Sequence, residues 1–410
     1  MKKIAILSFL IFASSFIAGS RTLTLEECLT LAFENNLSLK AGEAALGRAS
    51  ALKGTAFDAP NTGIELSQDA TGGGSMENGL KFSQEFEFPT VYIAKRKVLK
   101  ADYDVEEGSY RELRNKLSGD VSAAYYRLVF ACQKIQILNE MSEVYSEFAR
   151  IADERYIAGE SSRLESINAA RIMAKNGIAL KEAQLARRQA SSELSALVGI
   201  DDDIEPCDSA LPVLDIPLIT QTLQPDSTLR GQIGELKLKQ SERNLGLAKQ
   251  EFMPGLFIAA TSQLLIKGFN PYNVDRSRFD KGNFMGFQVG ITVPLFFGAK
   301  RAKLQAAKKE VEFARLKKEE ENRSILKEYT DALNDYETAA QSLEYYEGHG
   351  ISQANEMVRL AAISYELGEI DYLEYIQNME TASSVRLEYL ESIFRYNLSI
   401  ITLNTLKGNQ

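Results

Sequence analysis

The sequence predicts a mixed α/β membrane protein. A duplicated unit supplies four transmembrane β-strands per chain and long coiled-coil α-helical hairpins. Three observations predict it: the two halves repeat one another in register, two short segments alternate apolar and polar residues, each preceded by a partner strand, and the longest segments carry sustained heptads.

The repeat is clearest at "FPTVYIAKR" (88–96) and "VPLFFGAKR" (293–301), where Pro89 and Pro294, Lys95 and Lys300, and Arg96 and Arg301 are each offset by 205. "YIAGE" (156–160) and "YELGE" (365–369) match at an offset of 209, "SLK" at Ser38 matches "TLR" at Thr228, and Pro60 matches Pro254, in the same order.

The elements follow in sequence. Residues 1–20 read as a signal peptide: a basic Met1-Lys2-Lys3 head, an apolar run from Ile4 to Ile17, and Ala18-x-Ser20 before the cut. The run is short of the ~20 residues of a transmembrane helix. Glu26-Glu27 before Cys28 exclude a lipid-bearing cysteine there. Repeat 1 spans 21–199: a helical segment at about 24–57, strands at 61–69 and 79–88, a long helix at 90–155 and a return helix at 162–198. Residues 200–227 read as an inter-repeat linker, because Pro206, Pro212, Pro217 and Pro225 forbid a long helix. Repeat 2 spans 228–410: a helix at 228–252, strands at 255–265 and 284–296, a long helix at 298–364 and a return helix at 370–406.

The strands are predicted by period two. Leu80, Phe82, Phe86 and Phe88 fall on one face, Lys81, Ser83, Glu85 and Glu87 on the other; Met285, Phe287, Val289, Ile291 and Val293 alternate with Gly286, Gln288, Gly290 and Thr292. The helices are predicted by 4-3 steps: Leu117, Val121, Ala124, Leu128, Ala131, Ile135, Leu138, Ser142, Tyr145, Ala149 and Ala152, then Ile325, Tyr329, Ala332, Tyr336, Ala339, Leu343 and Tyr346. A helix over 90–155 is roughly 100 Å long at ~1.5 Å per residue. The charge run Lys317 to Asn322 reads as a solvated face. The "TGGG" at Thr71 reads as a hairpin tip, since no helix opens directly after it to bind phosphate.

Strands of this length with one apolar face fit a tilted transmembrane barrel. Four strands cannot close one, and an open sheet edge is not tolerated in lipid. Other copies of the chain must complete the barrel, and eight, twelve or sixteen strands would follow from two, three or four subunits. A net charge of −9 argues against nucleic acid. Three cysteines and one histidine, His349 in "YEGHGIS" where a helix interruption is expected, supply no zinc site and no nucleophile–base pair. No enzyme activity, cofactor or metal site is expected. The sequence leaves open whether Cys28 and Cys207 pair in an oxidising compartment; Cys132 reads as helix packing.

The segments "LTLEECLTLAFENNLSLK", "RYIAGESSRLESINAAR" and "ELSALVGI", with both strand-Pro-x4-Ala-Lys-Arg junctions, resemble the TolC-type outer membrane efflux protein family over about residues 22–407. The resemblance implies a homotrimer with a twelve-stranded barrel and a periplasmic α-barrel, in the outer membrane of a Gram-negative bacterium. It implies an exit duct of a tripartite pump, with a periplasmic adaptor (membrane fusion) protein and an inner-membrane transporter such as an RND pump as partners. Chain length and second-half details resemble the heavy-metal and cation efflux branch. A periplasmic coiled-coil tether and a type I secretion duct for a polypeptide are the alternatives.

The chain has no Trp, so an aromatic girdle would use Phe86, Phe88, Tyr92, Phe296 and Phe297. The basic clusters from Lys95 and Lys300 would anchor the periplasmic interface by snorkelling. At the two tight turns, the resemblance implies adaptor contacts at Gly159, Glu160, Ser161, Gly368, Glu369 and Ile370. It also implies a periplasmic entrance at Glu165, Glu374 and Gln377, where a second acid of some relatives is replaced by Gln377. Pro89, Lys95, Arg96, Pro294, Lys300 and Arg301 would form the seam between barrel and tunnel.

Overall fold

The computed structural model describes residues 21–71, 75–215, 223–263 and 285–408. The predicted signal peptide, the "GGG" of the first hairpin and the connection 264–284 lie outside them. The chain forms two compact units. One holds residues up to 40, 114–221 and 328–410; the other holds 41–113 and 222–327. Each unit draws on both sequence repeats, so the repeats are not the compact units.

The second unit contains α2 (Leu37–Leu52, which begins in the first unit), β2 (Gly63–Thr71), β3 (Ser75–Phe86), α5 (Leu229–Gln250), β5 (Gly255–Gln263) and β6 (Met285–Thr292). The strands form one antiparallel sheet in the order β2-β3-β5-β6. Its register collects the apolar alternation onto a single face. Ile64 lies opposite Phe82, Phe82 opposite Ala260 and Ala260 opposite Phe287; one step along, Gln84, Ile258 and Val289 align. Phe287 is 77% exposed and Val289 84%, so none of the described residues covers this part of the face. Gln84 interrupts it, with its amide occupied by the Pro60 carbonyl and the Thr62 hydroxyl, both at 2.6 Å.

The opposite face carries Glu65, Ser67, Lys81, Ser83, Glu85, Thr261, Gln288 and Thr292, with a Lys81–Glu65 pair at 4.0 Å. Phe257 also sits there, directly opposite Gly290, and its ring covers the Gly290 backbone so closely that a Cβ would overlap it. The outer edges of β2 and β6 pair with no strand among the described residues.

The predicted strand 284–296 ends at Thr292. Pro294 has no N–H to extend the ladder, and residues 293–297 are neither strand nor helix. The charge run is not simply solvated: the Lys318 ammonium reaches Glu235 at 2.7 Å and Asp226 at 3.2 Å.

In the first unit, β1 (Arg21–Leu23) precedes α1 (Leu25–Asn35). Thr24 and Glu27 form a reciprocal capping box at the start of α1. The predicted helix 24–57 breaks at Asn36, whose side chain accepts the N–H groups of Ser38 and Leu39. The first long hairpin is α3 (Pro89–Ile157), whose first residues belong to the second unit, and α4 (Arg163–Val198). The second is α6 (Gly298–Tyr345, likewise shared), α7 (Ile351–Glu366) and α8 (Tyr372–Lys407). Heptad positions Leu117, Val121, Ala124, Leu128, Ala131, Leu138, Tyr145 and Ala152 are buried, as are Ile325, Tyr329, Ala332, Ala339 and Leu343.

The predicted helix 298–364 is interrupted at Tyr346–Gly350 by one π-helical turn, which places His349 at the surface. Tyr346 donates to Glu388 at 2.9 Å and Tyr389 to Glu347 at 3.4 Å, so the turn is clamped reciprocally to α8. The linker is more than a spacer. Its β4 (Ile204–Pro206) pairs in parallel with β1, and the buried Asn397 holds Pro212 and Leu214 by their backbone. Cys28, Cys132 and Cys207 are all free: Cys28 is on the buried side of α1 while Cys207 is exposed after β4, so the two do not pair.

Candidate functional site: two hairpin tips and two strand-to-helix junctions

The hairpin tips are copies of each other, bond for bond. α3 ends where Gly159 takes φ 76°, and α7 ends where Gly368 takes φ 72°. In the first, the N–H of Glu160 reaches the Arg155 carbonyl at 2.8 Å and that of Ser161 reaches it at 3.3 Å. In the second, Glu369 and Ile370 reach the Ser364 carbonyl at 2.8 and 3.4 Å. These six-residue closures with a left-handed glycine stop a helix and satisfy its last carbonyls. Ser162 then caps α4 by accepting from the N–H of Glu165 at 3.3 Å, and Asp371 caps α8 by accepting from that of Glu374 at 2.8 Å.

The side chains are not copies. In the first tip Glu165 faces the Arg155 guanidinium at 3.5 Å, and Arg163 lies over the Tyr156 ring at 5.1 Å. In the second tip Tyr365 stacks on Tyr375 at 5.2 Å and meets Tyr372 at 5.3 Å. Tyr372 in turn packs on Phe148 of α3 at 4.8 Å, within a cluster holding Tyr145, Ala169, Ile172 and Ile376. Burial pushes the Tyr372 hydroxyl up to about 12. Glu369 accepts from the Ser364 hydroxyl at 2.9 Å. Glu374 and Gln377 are exposed one turn apart on α8, and the Glu374 carboxylate has no cationic partner among the described residues. Residues 155–166 balance Arg155 and Arg163 against Glu160 and Glu165; residues 364–375 hold Glu366, Glu369, Asp371 and Glu374 with no Lys or Arg.

The junctions share a motif but not a conformation. Pro89 is the first residue of α3, where its missing N–H costs nothing. Lys95 turns back to Glu87 at 2.5 Å, the Tyr92 hydroxyl accepts from the Glu87 N–H at 3.0 Å, and Arg96 is exposed. At the second junction the helix waits until Gly298, four residues beyond Pro294. There the Lys300 ammonium bonds the Glu251 carbonyl, Lys303 reaches the Glu251 carboxylate at 3.3 Å, and the Arg301 side chain is exposed. An aromatic pair staples each junction to the end of the preceding helical segment: Tyr92 to Phe57 at 4.8 Å, and Phe297 to Phe252 at 6.1 Å.

An antiparallel sheet with one exposed apolar face is joined to long helical hairpins, and no helix among the described residues is long and apolar enough to cross a bilayer. The chain belongs to the outer membrane efflux protein family, whose sequence profile matches residues 29–200 and 218–409. It is an outer-membrane efflux duct. The cobalt-zinc-cadmium resistance protein CzcC of Cupriavidus metallidurans is 19% identical over 392 residues, covering 94% of this chain and 90% of that one. The fold matches the crystal structure of CusC with TM-score 0.77 at 16% identity, covering 95% and 94% of the two chains. It matches the Campylobacter jejuni CmeC outer membrane channel with TM-score 0.77 at 20% identity, covering 94% and 85%.

Proposed function

We propose that three copies of this chain close a twelve-stranded barrel and act as the passive exit duct of a tripartite pump, carrying divalent metal cations outward. The observation that carries the assembly is the sheet itself, with one largely apolar face and two edges, at β2 and β6, that pair with no strand among the described residues. Such edges are intolerable in lipid unless the β6 of one copy meets the β2 of the next. The likeness to a cobalt-zinc-cadmium resistance protein supports the cation reading.

In this reading the apolar face meets lipid and the face with Glu65, Lys81 and Gln288 lines the lumen. Pro89, Lys95, Arg96, Pro294, Lys300 and Arg301 form the seam between barrel and helices. Gly159, Glu160, Ser161, Gly368, Glu369 and Ile370 present the tips to a periplasmic adaptor, behind which an inner-membrane transporter supplies the substrate. Glu374 and Gln377 face the periplasmic entrance, with Glu165 held back by Arg155.

The test is cross-linking of the detergent-purified protein, followed by conductance in planar bilayers. A cross-linked ladder ending at three and discrete channel events are expected. A ladder ending at one or two, or a protein that remains in solution without detergent, would sink the reading.

A further inference from the structure

The two junctions diverge at one place. Counting from the paired prolines, Thr90 and Val91 correspond to Leu295 and Phe296. Because α3 begins at Pro89, Val91 lies on its first turn and is 7% exposed. Because α6 begins only at Gly298, Leu295 and Phe296 stand in extended chain and are 79% and 91% exposed. Phe297 beside them is stapled to Phe252 and holds the segment in place.

Three features say what covers this pair. The apolar alternation of Met285, Phe287, Val289 and Ile291 continues in the sequence through Val293 to Leu295, so Leu295 prolongs the apolar pattern of that sheet face beyond the end of β6. Phe296 breaks the alternation, and two neighbouring large side chains are exposed where the strand has ended. One turn into α6, Lys300 and Lys303 are both engaged by Glu251, which leaves the exposed Arg301 side chain without an anionic partner among the described residues. An aromatic–aliphatic tip followed by a free guanidinium suits the boundary between acyl chains and phosphate headgroups.

We propose that Leu295 and Phe296 form a membrane wedge, one per chain, which inserts into the headgroup boundary of the periplasmic leaflet while Arg301 binds anionic phospholipid. The proposal rests on the barrel reading above. It assigns the wedge to the second junction, because at the matching position the first buries Val91 on the opening turn of α3.

The chain contains no Trp, so a single introduced Trp reports its own surroundings. Phe296→Trp and, separately, Phe287→Trp would be purified as the full-length protein. Each would be reconstituted in phosphatidylcholine vesicles carrying bromine either near the headgroup or deep in the acyl chain. Phe287→Trp is expected to be quenched best by deep bromine and Phe296→Trp by shallow bromine, with a preference of about twofold or more. Adding phosphatidylglycerol should raise the shallow quenching of Phe296→Trp, and Arg301→Gln should abolish that rise.

If Phe287→Trp is quenched but Phe296→Trp is not, the wedge is overturned while the barrel stands. Blue-shifted emission would then mean that a second copy covers the segment, and red-shifted emission that water does. No response to phosphatidylglycerol would overturn the role of Arg301. If neither Trp is quenched, the barrel reading fails and the wedge with it.

Discussion

Arg155 and Glu165 lie 3.5 Å apart across the first hairpin tip, and the second tip, with the same backbone, has Ser364 where Arg155 would stand. The fold therefore separates two glutamates that the sequence presents as equivalents. Glu165 shares its charge with a guanidinium. Glu374 is exposed on a tip that has no Lys or Arg from Ser364 to Tyr375. Both groups of the pair are partly exposed, so the bridge contributes less than about 1 kcal/mol to stability, but it leaves Glu374 as the one of the two without a cationic partner among the described residues.

Block by divalent cations in planar bilayers should follow that difference. Glu374→Gln is expected to raise the half-blocking concentration about tenfold, equivalent to ~1.4 kcal/mol. Glu165→Gln should change it by less than about twofold, and Arg155→Ala, which frees Glu165, should deepen the block. Equal effects of the two glutamate variants would remove the distinction between the tips.

The tip glycines should respond oppositely to helix glycines. Gly159 and Gly368 hold φ values of 76° and 72°, and each has open space where a Cβ would go. An alanine there meets no neighbour and suffers only its own backbone, at about 1–2 kcal/mol. Gly47 on α2 also has open space but ordinary helical backbone, so Gly47→Ala should stabilise by about 0.5–1 kcal/mol. Unfolding followed by far-UV circular dichroism would show midpoints moving down for the two tip variants and up for Gly47→Ala. A shift of the same sign at all three positions would contradict the assignment.

What was legible in the sequence was what recurs locally. Period two found the apolar face of β3 and β6, the 4-3 steps found the buried seams from Leu117 and Ile325, and a helix interruption was expected at "YEGHGIS", though not its π geometry. What was not legible depends on distant partners. β1 and β4 are three residues each and are strands only because they meet one another. The Phe57–Tyr92 and Phe252–Phe297 staples join residues 35 and 45 positions apart with no pattern between them. The shared Pro-x4-Ala-Lys-Arg motif concealed a difference in where the helix starts, because the motif marks the strand-to-helix junction and not the residue at which the helix begins.

The cysteines give a prediction with a definite sign in pH. Burial pushes the Cys28 thiol up to about 11, and Cys132 is also raised by burial. The thiolate is the reactive form, so at pH 8 Cys28 is almost wholly neutral as well as covered. Alkylation of the native protein should modify Cys207 first and Cys28 about a hundredfold more slowly. Raising the pH towards 11 should narrow that gap, and denaturation without reductant should expose three thiols. Fewer than three would mean that a disulfide does form.

Phe257 is the one aromatic ring on the polar face of β5, and it lies where a Cβ at Gly290 would have to be. An aromatic ring over a cross-strand glycine fills the gap that glycine leaves in the sheet and fixes the β5–β6 register. Gly290→Val forces the ring away or the strands apart, a clash that costs about 1–3 kcal/mol. Phe257→Ala alone leaves the glycine uncovered. The double variant removes the clash by restoring one side chain to the position, so it should recover stability that Gly290→Val loses. The fraction of protein resisting unfolding in detergent on a heat-modifiability gel would measure it: lowest for Gly290→Val, higher for the double variant. A double variant no better than Gly290→Val would show that the ring is not what the valine strikes.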